Sequence, residues 1–375
     1  MELKSSRPAW LEIDLKALKN NYKFIRSRIK NKSKIAAVVK ADAYGHGAIK
    51  IAKKLDNLGV EYFCVGSPDE GVELREAGIE KPILVLAEVL ESQYKDILKG
   101  NLIQTAASKK TLNSLNQYAE KMNENIKVHL KIDTGMGRIG FFPEKISDIF
   151  ELAQNLKNIE VEGIFSHFAR ADEYNKDFSY QQLEKFKRAV KKIKRIASKD
   201  LLYHIANSAA VIDLPETSFD LVRPGIMLYG MEPSQELKNK NKLKTLLSFK
   251  TRVTEIRELP AGFPVSYGST YKTKAKEKMA VLPVGYKDGY PRLLSNKGEV
   301  LINNKRVPIR GKICMGQTIV SIDHLNNVEI GDEVVLIGSQ GEEEIKAAEI
   351  AEKCGTINYE IICNLSDKLE KKYLE

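Results

Sequence analysis

A short apolar run returns every 18 to 40 residues from residue 34 to residue 224, each followed by a helix-like stretch. The runs are KIAAVV (34–39), YFCVG (62–66), PILVLA (82–87), LIQTA (102–106), VHLKID (128–133), VEGIFS (161–166), LLYHIA (201–206) and FDLVRP (219–224). This is the rhythm of strand–helix units on a parallel sheet. Eight units over about 230 residues fit a (β/α)8 barrel, whose active site lies at the C-terminal ends of its strands. An open, doubly wound eight-stranded sheet is the alternative that periodicity leaves standing. Between the runs, SPDEGVELREAG opens on Ser-Pro and closes on Gly78, the start and stop signals of a helix.

After about residue 240 the pattern changes to alternating segments: SFKTRVTEI, MAVLPVGY, VLINNKRVPIR, TIVSID and DEVVLIG, with turn residues between them. A mainly-β domain of about 130 residues follows the barrel, with a joint near NKNKLKT (239–245) and one helix in KAAEIAEKCG. The chain of 375 residues carries a net charge of +10, which favours anionic ligands. Its lysines and arginines alternate with carboxylates instead of gathering on one element, which argues against a nucleic-acid partner. The richest patch, Lys185 to Lys199, has an apolar stripe at Phe186, Val190, Ile193 and Ile196, an amphipathic helix with a basic solvent face. Cys64, Cys314, Cys354 and Cys363 show no metal-ligand spacing and are too sparse for a disulfide scaffold. No signal peptide or membrane span is legible, so a cytoplasmic location and no membrane partner are expected.

Chemically able residues crowd the ends of the runs: Lys40, Lys131 leading to Arg138, His167, Asn207-Ser208, and Arg223 followed by Gly225. A lysine directly after four apolar residues is unusual, because a buried ammonium is costly unless paired or neutralised. Desolvation lowers its pKa, as a Schiff-base lysine requires. Taken alone, Lys40 reads first as a strand-end lysine whose ammonium simply reaches solvent. The glycines of GHG (45–47) could let the backbone bend close to a ligand, or simply form a loop. Barrel loops after strands seven and eight often bind phosphate. Ser208 there reads as a phosphate donor or as a helix cap, and Gly225-Ile226 offers backbone N–H groups with no side chain at Gly225 in the way.

The strings VVKADAYGHG, KIDTGMGRIG, SHFARADE, HIANSAA, LVRPGIMLYG, VSYGSTY, PVGYKDGYPR, ICMGQ and INYEI resemble, in order, the signature segments of the bacterial alanine racemases, from about residue 8 to about residue 365. The resemblance implies a (β/α)8 barrel binding pyridoxal 5'-phosphate (PLP) over 14–240 and a C-terminal β domain over 241–375. The N-terminal strand (residues 1–13) is expected to pack with that domain. Lys40 then corresponds to the PLP lysine and one of two catalytic bases. Tyr267 corresponds to the second base, supplied across a head-to-tail homodimer interface. Two acid–base groups are needed because racemisation removes the α-proton on one face and returns one on the other. A tyrosine, with a pKa near 10, needs cationic or hydrogen-bonding help to act as a base, and His167 and Arg223 match that help.

By the same resemblance, Arg223 faces the pyridine nitrogen of PLP, which a guanidinium cannot protonate. Arg138 and the backbone of Met315 match contacts to the substrate carboxylate, and Lys131 matches a lysine carbamylated in many members. Tyr44, Ser208, Gly225, Ile226 and Tyr359 match phosphate contacts, with Asn207 beside them at the cofactor. Asp172, Tyr286, Arg292 and Tyr359 match the lining of the substrate corridor. No metal is implied. The implied reaction is the interconversion of L- and D-alanine, an isomerase activity supplying peptidoglycan. One departure stands out: the family usually reads Cys-Met-Asp-Gln where this chain has Cys314-Met315-Gly316-Gln317. The missing carboxylate keeps open a serine or broad-specificity racemase. A PLP-barrel decarboxylase lacks the VSYG tyrosine and the RPG arginine, and intact Lys40 and Tyr267 argue against a PLP-binding protein without turnover.

Overall fold

The computed structural model describes residues 8–239 and 243–375. The chain divides into two compact units: Ala17–Ala43 with Gly47–Lys244, and the stretch up to Lys16 with Tyr44–His46 and Thr245–Glu375. The expected boundary at 240/241 and the first seven residues of the expected N-terminal segment lie outside the described residues.

Strand β1 (Ala9–Asp14) belongs to the second unit. The first unit is built on β2 (Lys34–Val38), β3 (Tyr62–Val65), β4 (Ile83–Val85), β5 (Ile103–Ala106), β6 (Ile126–Lys131), β7 (Ile159–Phe165), β8 (Leu202–His204) and β9 (Leu221–Val222). Each of the eight apolar runs supplies one of these strands. They pair in parallel in the order β8-β7-β6-β5-β4-β3-β2-β9. The ring closes where Arg223 N–H donates to Ala206 C=O at 2.9 Å, beside a parallel bridge between Asn207 and Arg223. An open sheet would leave β8 and β9 as edges, so the barrel is the fold. Buried on both faces, such strands read as continuous apolar runs. The helices between them bury one stripe. In Ala48–Asn57 it is Ala48, Ile51, Ala52 and Leu55, the spacing of one helical face. SPDEGVELREAG forms the helix Pro68–Glu76, with Ser67 at its N-cap and Gly78 at φ 93° past its end. The helix Asp177–Ile193 buries Phe186, Val190 and Ile193 as expected. Ile196, counted with that stripe, instead falls beyond the helix end and is exposed.

The second unit carries β10 (Leu247–Arg252), β11 (Glu255–Leu259), β12 (Pro264–Val265), β13 (Tyr271–Lys272), β14 (Glu277–Leu282), β15 (Glu299–Ile302), β16 (Lys305–Pro308), β17 (Thr318–Ser321), β18 (Glu333–Gln340), β19 (Glu343–Ile345) and β20 (Glu370–Leu374). The main sheet runs β16-β15-β18-β10-β1-β20, and β1 lies antiparallel to β10 and parallel to β20. A second sheet, β11-β14-β17, and the small β12-β13 pair complete the unit. The β15–β16 hairpin turns on Asn303 and Asn304 at φ 49° and 61°, the two left-handed positions a tight hairpin demands. Arg306 on β16 meets Glu299, Glu343 and Glu349 at 3.1, 3.0 and 2.8 Å, tying both hairpin strands to β19 and to the helix Ala347–Cys354.

Candidate active site

Lys40 follows β2 and opens a turn of left-handed helix: Ala41, Asp42, Ala43 and Tyr44 all sit at φ between 51° and 55°. Each such residue costs an L-amino acid roughly 1–2 kcal/mol, and strain of that kind gathers where geometry serves function. Glu70 anchors the turn from the neighbouring helix, one oxygen accepting from Ala41 N–H and the other from Gly66 N–H, both at 2.7 Å. Lys40 itself makes no ion pair or hydrogen bond among the described residues. The GHG glycines do bend the chain, though not toward a ligand. Gly45 sits at φ 80°, and a Cβ there would lie 2.7 Å from the Ile362 carbonyl oxygen in the second unit, to which Tyr44–His46 also belong.

Arg223 lies buried in the mouth of the barrel with no carboxylate partner among the described residues. One terminal nitrogen donates to His204 Nδ1. The other donates to the carbonyls of Ser166 and Ile205, at 2.7 and 3.2 Å, and to His167 Nδ1 at 3.3 Å. Its guanidinium and the Lys131 ammonium each lie 5.1 Å from the Phe165 ring, which stacks flat on His204. Strand register makes this cluster, since Lys131, Phe165 and His204 are directly paired across β6, β7 and β8.

Arginine only donates, and that fixes every tautomer nearby. His204 accepts at Nδ1, so its proton is on Nε2 and goes to His129 Nδ1, 2.8 Å away. His167 likewise accepts at Nδ1 and carries its proton on Nε2. Burial, and then the Arg223 charge, holds the pKa of both His167 and His204 well below the usual range and that of His129 at about 3, so all three are neutral at pH 7. Burial brings Arg223 down to about 10, where it stays charged. Its Nε makes no hydrogen bond among the described residues. Lys131 is pushed down to about 7 by burial, then by Arg223, with Asp133 opposing and Arg138 reinforcing.

Arg138 stands exposed on the loop after β6. Asp133 shapes that loop, accepting from the N–H groups of Gly135, Met136 and Gly137. After β8 the helix Ser208–Asp213 is capped by Asn207, whose side chain accepts from Ala210 N–H. The cap reading of Ser208 is therefore corrected: Ser208 is the first helical residue, and its Oγ accepts from Gly225 N–H at 2.9 Å. Gly225 has spent its N–H inside the chain, while Ile226 N–H donates to nothing among the described residues. Asp172 lies part-buried in the loop after β7.

In the second unit Tyr267 is 71% exposed in a tight turn with Ser266, Gly268 and Ser269 all at positive φ. Met315 is 59% exposed, and Tyr286 and Arg292 are exposed as well. Tyr44 packs its ring 6.0 Å from that of Tyr359. Glu70, His129 and His204 were not singled out from the sequence. A lone histidine in an apolar run reads as core, and Glu70 as helix surface.

The described residues hold no cluster fit for a metal and no helix long and apolar enough to cross a membrane. They do hold a set suited to PLP: a Lys40 ammonium and a buried Arg223 Nε–H, neither with a hydrogen-bond partner among the described residues, and an unspent Ile226 N–H near Ser208. Fold and site together define a (β/α)8 barrel with a cluster of cationic and histidine side chains at the C-terminal ends of its strands. Family models for the alanine racemase N-terminal and C-terminal domains match residues 13–233 and 246–373. An alanine racemase of Halothermothrix orenii is 48% identical over 373 residues, covering 100% of this chain and 98% of its own. A solved alanine racemase of Clostridium difficile 630 superposes with TM-score 0.93 at 38% identity, over 99% of this chain and 97% of that one. A Bartonella henselae alanine racemase solved with covalently bound pyridoxal phosphate gives TM-score 0.88 at 29% identity, over 98% and 99%. The chain belongs to the alanine racemase family.

Proposed function

We propose that this chain interconverts L- and D-alanine on PLP held through Lys40. The observation that carries the reading is Lys40 without a counter-ion at the end of β2, in the same barrel mouth as a buried Arg223 whose Nε–H is unspent. PLP, when bound, supplies an electron sink that acidifies the substrate α-proton. Arg223 Nε–H is suited to the pyridine nitrogen, which it can bond and cannot protonate. Lys40 takes or returns the proton on one face. Tyr267 of the partner subunit does so on the other, abstracting from L-alanine, in a head-to-tail homodimer. His167, locked by Arg223 with its proton on Nε2, can donate toward that phenolic oxygen and stabilise its anion. Ser208, Gly225, Ile226, Asn207, Tyr44 and Tyr359 are assigned to the cofactor and its phosphate. Arg138 and Met315 N–H are assigned to the substrate carboxylate, and Asp172, Tyr286 and Arg292 to the corridor. A depressed Lys131 pKa supports carbamylation there, since CO2 adds only to a neutral amine. A homodimer working in the cytoplasm, making D-alanine for peptidoglycan, completes the proposal.

Borohydride reduction of protein loaded with PLP, followed by peptide mapping, should leave the phosphopyridoxyl mass on the Lys40 peptide. Its absence there, with PLP fixed elsewhere, would refute the assignment. A wider substrate range is the second reading, and one observation favours it. Gly316 is not among the glycines at positive φ, so the backbone does not require glycine there and the missing side chain only adds room beside Met315. Comparing L-serine with L-alanine in the same assay decides it.

A further inference from the structure

The segment from His167 to Lys176 leaves β7 and carries both His167 and Asp172. Two buried side chains hold it. Gln182, wholly buried, accepts from Ala169 N–H at 2.9 Å and donates to the His167 carbonyl at 3.1 Å and to Thr134 Oγ at 3.3 Å. At the far end the Lys176 ammonium spends all three protons inside the protein, on the carbonyls of Ala171 and Glu173, at 2.8 and 2.6 Å, and on Asp213 Oδ2 at 2.9 Å. Lys176 and Asp213 side chains are 4% and 0% exposed. Asp213 ends the helix that Asn207 caps, and it also accepts from the N–H groups of Lys238 and Asn239 and from the Asn239 side chain. A second tie joins the same strands of chain, Tyr174 N–H to Glu236 at 3.0 Å.

A buried ion pair is weak evidence for stability, because well-packed apolar residues of similar volume often do as well. It is better evidence for fixed geometry. We propose that Lys176 and Asp213 are positioning residues for the racemisation read above: their ion pair latches the His167–Lys176 segment to the Ser208–Asp213 helix and so holds His167 in register with Arg223. Neither residue touches the reacting atoms. The latch acts on the face served by Tyr267 of the partner subunit, because His167 supports that base. It leaves the Lys40 face alone, because Lys40 hangs on the Glu70-anchored turn.

The inference rests on the proposed racemase activity, and the test separates the two. Wild type, Lys176→Met, Lys176→Arg and the double variant Lys176→Met/Asp213→Leu are compared as PLP-loaded proteins. Thermal unfolding is recorded beside kcat, KM and primary isotope effects with L- and D-alanine deuterated at Cα. Lys176→Met leaves Asp213 buried without its partner and should melt well below wild type. The double variant removes both charges together; because Asp213 also accepts from Lys238 and Asn239, and Lys176 donates to the carbonyls of Ala171 and Glu173, it should melt below wild type yet stay folded at the assay temperature. In it the turnover should still fall roughly tenfold or more, since a misplacement of about 1 Å can cost up to 100-fold. The isotope effect should rise for L-alanine, whose proton goes to the tyrosine, and fall for D-alanine, whose abstraction by Lys40 then precedes a slower reprotonation by the tyrosine, while KM changes less than kcat. Lys176→Arg, which keeps the ion pair, should restore most of the rate. A double variant that is folded at the assay temperature and turns over like wild type overturns the latch. So does a loss with equal isotope effects in both directions. Wild type that does not racemise alanine at all overturns the underlying activity instead.

Discussion

Lys131 offers the sharpest quantitative forecast. Lys131 is 2% exposed, shares the barrel mouth with Arg223, and has no carboxylate partner among the described residues; its pKa is pushed down to about 7. At pH 8 a group with that pKa is about 90% neutral amine, whereas an ordinary lysine near 10.4 is about 0.4% neutral, a difference of roughly 200-fold. Carbamylation forms an N–C bond between neutral amine and CO2 and releases a proton, so it should single out Lys131. The product, an anion, would also relieve the repulsion among Lys131, Arg223 and Arg138. The sign of the pH dependence follows. The modification is favoured above about pH 7 and lost as pH falls through that value and the amine protonates. Protein equilibrated with 13C-labelled bicarbonate should show a carbamate carbon resonance at pH 8 that fades toward pH 6 and is missing from Lys131→Met. Activity in CO2-depleted buffer should drop and return on adding bicarbonate. No labelled signal in wild type across pH 7 to 9 would refute the reasoning.

Three further outcomes follow from local geometry. Gly45→Ala places a Cβ against the Ile362 carbonyl at a positive φ, and should lower stability by about 1–3 kcal/mol in chemical denaturation. Arg306→Met strips the shared partner from three half-exposed carboxylates and should cost about 1–2 kcal/mol after allowing for solvent screening. Arg306 and Lys353 hold the Glu349 pKa below its ordinary value, so that contribution is present above about pH 4.5 and fades in acid; the gap between wild type and variant should narrow as pH falls below it. Asn207→Ala removes the cap of the Ser208–Asp213 helix, should cost about 1 kcal/mol, and should loosen PLP in a cofactor-release assay.

The barrel was legible because its strands are buried on both faces and its helices on one, and both leave plain periodicities. Lys40, His167 and Arg223 were legible because they stand at strand ends, where polar residues break an apolar run. His204 and His129 were not, because only the parallel register of β6, β7 and β8 brings them to Arg223, and register is set by closure of the ring. Lys176 and Asp213 lie 37 residues apart in ordinary polar stretches, and nothing local announces their pairing. Of the two readings open for Ser208, the cap falls to its neighbour Asn207, because Asn and Ser are near-equal caps and the sequence places them side by side.

The central claim is that this chain moves a proton at Cα of alanine on a cofactor held by Lys40. Incubating the PLP-loaded protein with L-alanine in deuterium oxide tests it directly. Wild type should yield D-alanine carrying deuterium at Cα, and Lys40→Ala neither D-alanine nor deuterium in excess of free PLP. Wild type that yields no D-alanine, or a Lys40→Ala protein that yields it at the wild-type rate, would contradict it.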